Sequence, residues 1–292
     1  METEGEKDYK QLRDRLTAEQ IFERIIVDAD EEISRSPREL FFSALAAGFA
    51  ITITVLLYVT VTTTTGKGSL LRAILYPLGF VYIIMGNYQL YTENTVPPVA
   101  LIIERMASVP ALLAMWVLIL LGNLVGAAGG AAALAFGGVF SGAEQEMAIS
   151  IASTGLKTGV IPLLFKGAFA GFIVAGVVWL DFSVRSSIAR FALIYMAFLA
   201  IPLGNLYHVV VSSTEVMYLV FIGETTLVAG MVGFVLPVLV GNTLGGVVLV
   251  TITNYFQTPG YLEENPSRRL SVREWAASWN TGRNKQELFG ER

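Results

Sequence analysis

Three glycine motifs, each set inside a long apolar stretch, occur twice in this chain and in the same order. The first set is Ala47-Gly48-Phe49, Gly86-Asn87 and Gly122-Asn123-Leu124-Val125-Gly126. The second is Ala170-Gly171-Phe172, Gly204-Asn205 and Gly241-Asn242-Thr243-Leu244-Gly245. The offset stays at about 120 residues throughout, so the register is kept and the sequence reads as an internal duplication of a unit with three hydrophobic segments. Three is an odd number of crossings. The second copy therefore enters a bilayer from the opposite side, which gives the inverted repeat used by transporters and channels and puts a pathway between the halves.

A bilayer is the medium that the composition requires. With 54% hydrophobic residues, only 15% charged and a mean hydropathy of +0.60, the chain is too apolar for an ordinary soluble domain. Its first 37 residues are charge-rich and do not resemble a cleavable signal, so the first span is expected to act as its own insertion signal. The absence of cysteine excludes disulfides and thiolate metal sites, and a single histidine excludes a multi-histidine metal cluster. A net charge of −4 argues against nucleic-acid partners.

A spanning helix needs about 20 mainly apolar residues, and six stretches qualify: roughly 39–62, 69–92, 109–138, 160–182, 188–221 and 229–256. Two are interrupted at matching places, the second from Gly86-Asn87 to Pro97-Pro98 and the fifth at Pro202-Leu203-Gly204-Asn205. Backbone groups freed by such breaks cannot be satisfied in hydrocarbon, so the breaks are expected to line a cavity or to be buried in protein. Paired interruptions in two repeats point to a binding site. The small-residue runs of the third and sixth spans suit close helix packing.

The expected division is a cytoplasmic N-terminal segment over 1–37, a channel domain over 38–258 and a cytoplasmic tail over 259–292 beginning at Pro259-Gly260. Basic residues set the orientation. With both termini in the cytoplasm, that side holds Arg35, Arg38, Arg105, Arg185, Arg190, Arg268, Arg269 and Arg273, leaving Lys67, Arg72 and Lys157 outside. Thr17-Ala18-Glu19-Gln20 reads as a capping box for an amphipathic helix whose apolar residues are Ile21, Phe22, Ile25, Ile26 and Ile33. In the tail, Leu270, Trp275 and Trp279 are expected at the membrane interface or against a neighbouring subunit.

His208 follows the fifth-span break by four residues, near the expected bilayer midplane. An ionisable group there is either a functional site or a neutral imidazole bonded to nearby backbone for packing. With these residues in hand, the pattern over about residues 37–257 resembles the formate/nitrite transporter family of bacterial anion channels, in a divergent branch. The resemblance implies an all-α membrane protein of the bacterial inner membrane. It further implies six transmembrane helices in two inverted three-helix repeats, an aquaporin-like protomer and a homopentamer. It also implies that the fifth-span histidine faces a threonine on the loop that breaks the second. Gln89-Leu90-Tyr91-Thr92 is similar to the family's leucine-phenylalanine-threonine loop, so Thr92 is expected to face His208. By position, Leu90, Tyr91, Tyr76, Phe80 and Ile201 match the family's two apolar constrictions. Lys157 falls near its vestibule lysine and reads equally well as an ordinary interfacial lysine.

The chain departs from the family pattern at Gly171 and Ser212, which replace polar residues, and at Glu93 and Glu215 near the two breaks. These carboxylates are read either as caps of the half-helices or as pore-facing charges that oppose anions and favour a neutral species, a cation or a proton relay. Glu215 lies seven residues after His208, two helical turns along one face.

An anion loses heavily on leaving water for an apolar constriction, and its conjugate acid loses far less. A histidine between two constrictions can donate a proton to the anion or hold it by a charge-assisted hydrogen bond, which makes flux depend on pH. The leading reading is a channel or transporter for small monovalent anions or their conjugate acids, of the formate or nitrite type, with no cofactor. The first alternative is a channel for water or small neutral solutes. Against it, no Asn-Pro-Ala motif is present and Asn265-Pro266 lies in the tail. The second is a non-conducting membrane sensor or scaffold. No nucleophile motif or metal cluster accompanies the histidine, so an enzyme is not expected.

Overall fold

The computed structural model describes residues 16–258 and 269–279. Pro259-Gly260, Asn265-Pro266 and Arg268 lie outside the described residues. Among those described, the helices are α1 (Ala18–Ile33), α2 (Pro37–Thr65), α3 (Leu78–Met85), α4 (Pro97–Ile103), α5 (Val109–Phe136) and α6 (Gly142–Leu156). They continue with α7 (Val160–Asp181), α8 (Ser187–Leu203), α9 (Val209–Phe221), α10 (Leu227–Gln257) and α11 (Val272–Ala277). Short 3₁₀ turns stand at Leu70–Ala73 and Glu93–Thr95.

Among the described residues, four helices, α2, α5, α7 and α10, are long and apolar enough to cross a membrane. The second and fifth apolar stretches are each split into two short helices, α3 with α4 and α8 with α9. The splits share one geometry. α3 ends with Asn87 in the left-handed region (φ 54°) and Tyr88 N–H bonded back to Ile83 O at 3.1 Å. α8 ends with Asn205 (φ 48°) and Leu206 N–H bonded to Ile201 O at 2.9 Å. Asparagine tolerates that conformation better than most residues and closes a helix in this way when glycine does not. The outer halves repeat the device, at Arg105 (φ 55°) after α4 and Gly223 (φ 82°) after α9.

The long helices pair within each copy, α2 on α5 and α7 on α10, and the glycine motifs are where they touch. A Cβ at Gly48 would lie 2.1 Å from Asn123 O, and one at Gly171 would lie 2.1 Å from Asn242 O. Only glycine permits these backbones to meet. The copies then interlock: α9 packs on α2 and α5, while α4 and the Glu93–Thr95 turn pack on α10.

Helix starts follow local chemistry. Full capping boxes form at Thr17 with Gln20, Ser36 with Glu39, Ser141 with Glu144 and Ser271 with Glu274. The apolar face of α1 (Ile21, Phe22, Ile25, Ile26, Ile33) is buried on this chain's own body, against α4 and the end of α10, where Phe22 meets Tyr255 at 5.8 Å between ring centroids.

The connection between the third and fourth apolar stretches is a helix, α6, because Ser141 and Glu144 cap it and Ala148 and Ala152 bury against α2 and α9. In the tail, Leu270 and Trp275 also contact this chain's own body. Leu270 N–H donates to Arg105 O at 2.8 Å, and Trp275 Nε1–H donates to Ile102 O at 2.8 Å, so the segment clips onto the end of α4. Trp279 remains 72% exposed.

Candidate functional site

Two asparagines hold the broken segments in place. Asn123 donates through Nδ2 to Ala44 O at 2.8 Å and Gln89 O at 2.9 Å, and its Oδ1 accepts from Tyr91 N–H at 2.9 Å. Asn242 donates through Nδ2 to Gly167 O at 2.8 Å and Tyr207 O at 3.0 Å, and its Oδ1 accepts from Val209 N–H at 2.9 Å. Each amide replaces the backbone partners that an unbroken helix would have supplied. Leu90 and His208 thereby occupy the same framework position, each between two strapped residues. Since Asn242 serves the first N–H of α9, the imidazole of His208 is not needed as a cap and makes no capping bond.

The ring turns instead to Thr92. His208 Nε2 and Thr92 Oγ1 lie 2.8 Å apart, both residues only 1% exposed, and Nδ1 is buried without a partner among the described residues. Thr92 is fixed from behind, where its carbonyl accepts from Thr95 Oγ1–H at 2.7 Å. An aromatic ladder leads to the pair: Tyr58 to Tyr76 at 5.6 Å, Tyr76 to Phe80 at 5.8 Å, and Phe80 edge-to-face with His208 at 5.0 Å. Phe198 stacks on Phe80 at 3.9 Å, and Ile201 and Leu90 are fully buried.

A cavity of about 540 Å³ opens on the side of α1, lined by residues that include Arg24, Glu32, Arg35, Glu93, Arg185 and Arg190. A second, of about 270 Å³, is lined by residues that include His208, Tyr76, Lys67, Arg72, Ser212 and Glu215. The sequence-derived candidates therefore divide. Thr92, His208, Tyr76 and Phe80 gather along the ladder, Ile201 is buried and lines neither cavity, and Glu93 and Glu215 each line one. Tyr91 turns aside, its hydroxyl 2.9 Å from Thr243 Oγ1 and its ring 5.7 Å from Trp116, and lines neither cavity. Lys157 is exposed at the end of α6; Lys67 and Arg72 are the cations lining the second cavity.

The capping reading fails for Glu215, which sits midway along α9, far from the exposed N–H groups of a helix start. Glu93 does stand in the first turn of the Glu93–Thr95 segment, where no side-chain cap bond forms, and its Oε1 is buried without a partner among the described residues. Phe198, Tyr58 and the straps Asn123 and Asn242 were not singled out as site residues by sequence. For the straps, the recurrence of Gly-Asn in both copies was the available signal.

A chain of side chains joins α1 to the loop that carries Thr92. Gln89 Nε2–H donates to Glu32 Oε1 at 2.9 Å, and Asn94 Nδ2–H donates to Gln89 Oε1 at 2.9 Å. Burial, reinforced by the charge of Asp28, lifts the Glu32 carboxyl from 4.5 to about 7 against the opposing Gln89 bond and Arg35. The docked state thus binds the proton more tightly than the undocked one. The contribution of Glu32 to docking is full below pH 4.5 and is lost as pH rises through about 7. Amide exchange in α1, corrected for intrinsic rates, is expected to quicken across that window in the wild type and to stay flat in Glu32→Gln.

Comparison with known proteins agrees with this architecture. The family profile described as "Formate/nitrite transporter" matches residues 19–256. Inner membrane protein YfdC of Escherichia coli (strain K12) is 30% identical over 242 residues, which cover 81% of this chain and 77% of that protein. A solved FNT family ion channel superposes with a TM-score of 0.74 at 22% identity, over 82% of this chain and 99% of that one. A pentameric formate channel with formate bound gives 0.64 at 20% identity, over 76% and 97% of the two chains. With the profile spanning most of its length and YfdC similar over 81% of it, this helical membrane protein belongs to the formate/nitrite transporter family.

Proposed function

We propose that the chain is a channel for small monovalent anions of the formate or nitrite class, or their conjugate acids, with His208 and Thr92 as the central binding pair. The observation that carries this reading is the buried 2.8 Å contact between Thr92 Oγ1 and His208 Nε2, with a cavity reaching His208 on one side and Glu93, next to Thr92, lining another. When Thr92 donates to Nε2, the imidazole proton resides on Nδ1, which lacks a partner among the described residues and is free to bond a passing anion. The aromatic ladder and Ile201 form the dry walls, disfavouring a bare ion and favouring one that shares a proton. Permeation is accordingly pH-dependent. No cofactor takes part.

Six spans in two inverted three-helix repeats are the layout that the matched breaks and odd segment count support, with α3 plus α4 and α8 plus α9 as the broken spans. Arg35, Arg185 and Arg190 share one cavity and Lys67 and Arg72 the other, which favours both termini on the cytoplasmic side. The N-terminal segment 1–37 and tail 259–292 then flank a channel domain over 38–258, in the bacterial inner membrane. A homopentamer is supported by the solved pentameric formate channel that the chain resembles.

The test is uptake of formate and nitrite into proteoliposomes over a pH series. Anion flux in His208→Ala is expected to fall on the order of 100-fold, the usual contribution of a positioned acid–base group. Flux unchanged by that substitution would overturn the assignment of the pair, and uptake restricted to uncharged solutes would make the protein a neutral-solute channel.

A further inference from the structure

Glu215 is the carboxyl group that the His208–Thr92 pair leaves without a role. It lines the same cavity as His208, two turns further along α9, and its other flank meets an apolar wall that includes Val55, Val59, Ile151 and Ala152. The titratable or charged groups sharing that cavity are Tyr58 from α2, Lys67, Arg72 and Tyr76 from the α2–α3 connection, and Tyr207 and His208 beside the break. None of the described residues gives Glu215 a hydrogen bond or an ion pair. Both cations are engaged elsewhere. Lys67 Nζ donates to Ser150 Oγ at 2.6 Å, and Arg72 donates to Asn205 Oδ1 at 3.2 Å while lying 6.0 Å from the centroid of the Tyr58 ring.

An acid with no partner among the described residues, lining one cavity with two cations and the histidine, is placed to exchange a proton with whatever passes. We propose that Glu215 is the proton donor for the anion on its way to His208, so that the species crossing the pair is the uncharged acid. This rests on the anion-channel reading and assigns the source of the proton within it. In the step, the O–H bond of the Glu215 carboxyl breaks and its electron pair stays on the carboxylate. A new O–H bond forms on the anion, and Glu215 is reprotonated by hydronium from the water on that side. Ser212, one turn before Glu215 and with a buried, unpartnered hydroxyl, lines the path between donor and histidine. His208 and Thr92 then receive a neutral hydrogen-bonding solute in place of a bare charge. Lys67 and Arg72, committed to neutral partners, keep the positive potential that draws the anion in.

Formate uptake by the full chain in liposomes, from acidic to mildly alkaline pH, tests the assignment. Glu215→Gln is expected to lose roughly 100-fold of the flux at alkaline pH, the contribution of a positioned proton donor. Flux should recover at acidic pH, where hydronium replaces the missing donor, and Glu215→Asp should keep the wild-type profile. A Gln variant with the wild-type pH profile overturns the proposal. So does one that carries more anion at every pH, since the carboxylate would then only repel. Infrared difference spectra of the wild type supply a readout that no variant's folding affects: adding formate should deplete a carboxylic C=O band, and its persistence overturns the proposal. A wild-type protein that carries neither formate nor nitrite at any pH overturns the channel reading itself, whereas failure confined to the Glu215 measurements leaves that reading standing.

Discussion

Asn242→Ala is expected to unfold the break between α8 and α9. The amide of Asn242 satisfies Gly167 O, Tyr207 O and Val209 N–H at once, and the side chain is fully buried. Alanine abandons all three where water does not replace the lost partner. A buried polar group left unsatisfied costs about 1–3 kcal/mol, so the sum is a large share of the roughly 5–15 kcal/mol that holds an ordinary domain. In detergent, the melting temperature should fall by at least about 6 °C, at roughly 2–4 °C per kcal/mol. Asn242→Asp separates the components. It still accepts from Val209 N–H but cannot donate to the two carbonyls, and should lie between alanine and wild type. Asn123→Ala should behave like Asn242→Ala, since it strands Ala44 O, Gln89 O and Tyr91 N–H. A melting temperature unchanged in both alanine variants would show that the straps are decorative.

Gly48→Leu is the second large effect. Its Cβ would fall 2.1 Å from Asn123 O and 2.7 Å from Asn123 Cα, all backbone, so no rotamer change relieves the clash. Relief requires α2 and α5 to separate. Separation also withdraws Asn123 from its three partners, so the loss should exceed the about 1–3 kcal/mol typical of overpacking. Gly171→Leu faces the same distance from Asn242 O and should match it. Gly176→Ala, in the same helix α7, supplies the contrast. Nothing lies within 4 Å of its added methyl, and it should gain up to about 1 kcal/mol from helix propensity alone. Thermal unfolding of the three variants side by side checks both signs, and similar melting points for Gly48→Leu and wild type would refute the packing argument.

What could be read from the sequence had a local or a periodic cause. The capping box at Thr17, the apolar stripe of α1 and the breaks at Gly86-Asn87 and Gly204-Asn205 depend on neighbours a few residues away. The duplication showed that the motifs belonged together, and the family resemblance set Thr92 against His208. Long-range partners were not legible. Asn123 stands out only as part of a repeated Gly-Asn motif until its three hydrogen bonds to distant backbone are visible. The docking of Trp275 on Ile102 joins residues far apart in sequence, and an exposed-looking tryptophan gave no hint of it. The helix α6 escaped because its mixed Ala, Ser and Glu composition resembles a connecting loop, although Ser141 and Glu144 form the same cap that revealed α1. Glu215 and His208 line one cavity, as their seven-residue spacing suggests, and the distance of Glu215 from a helix start decides against capping.

The strapping asparagines grip main-chain atoms on either side of Leu90 and His208 and leave both of those side chains out of the bargain. A substitution at either address therefore leaves the scaffold's amide contacts intact. Chemistry is free to drift at one copy's address while the other keeps a plain aliphatic, so a duplicated frame can carry an imidazole in one copy and leucine in the other. Divergence in what relatives of this architecture carry can then be sought at these two addresses, with the surrounding helices conserved in shape.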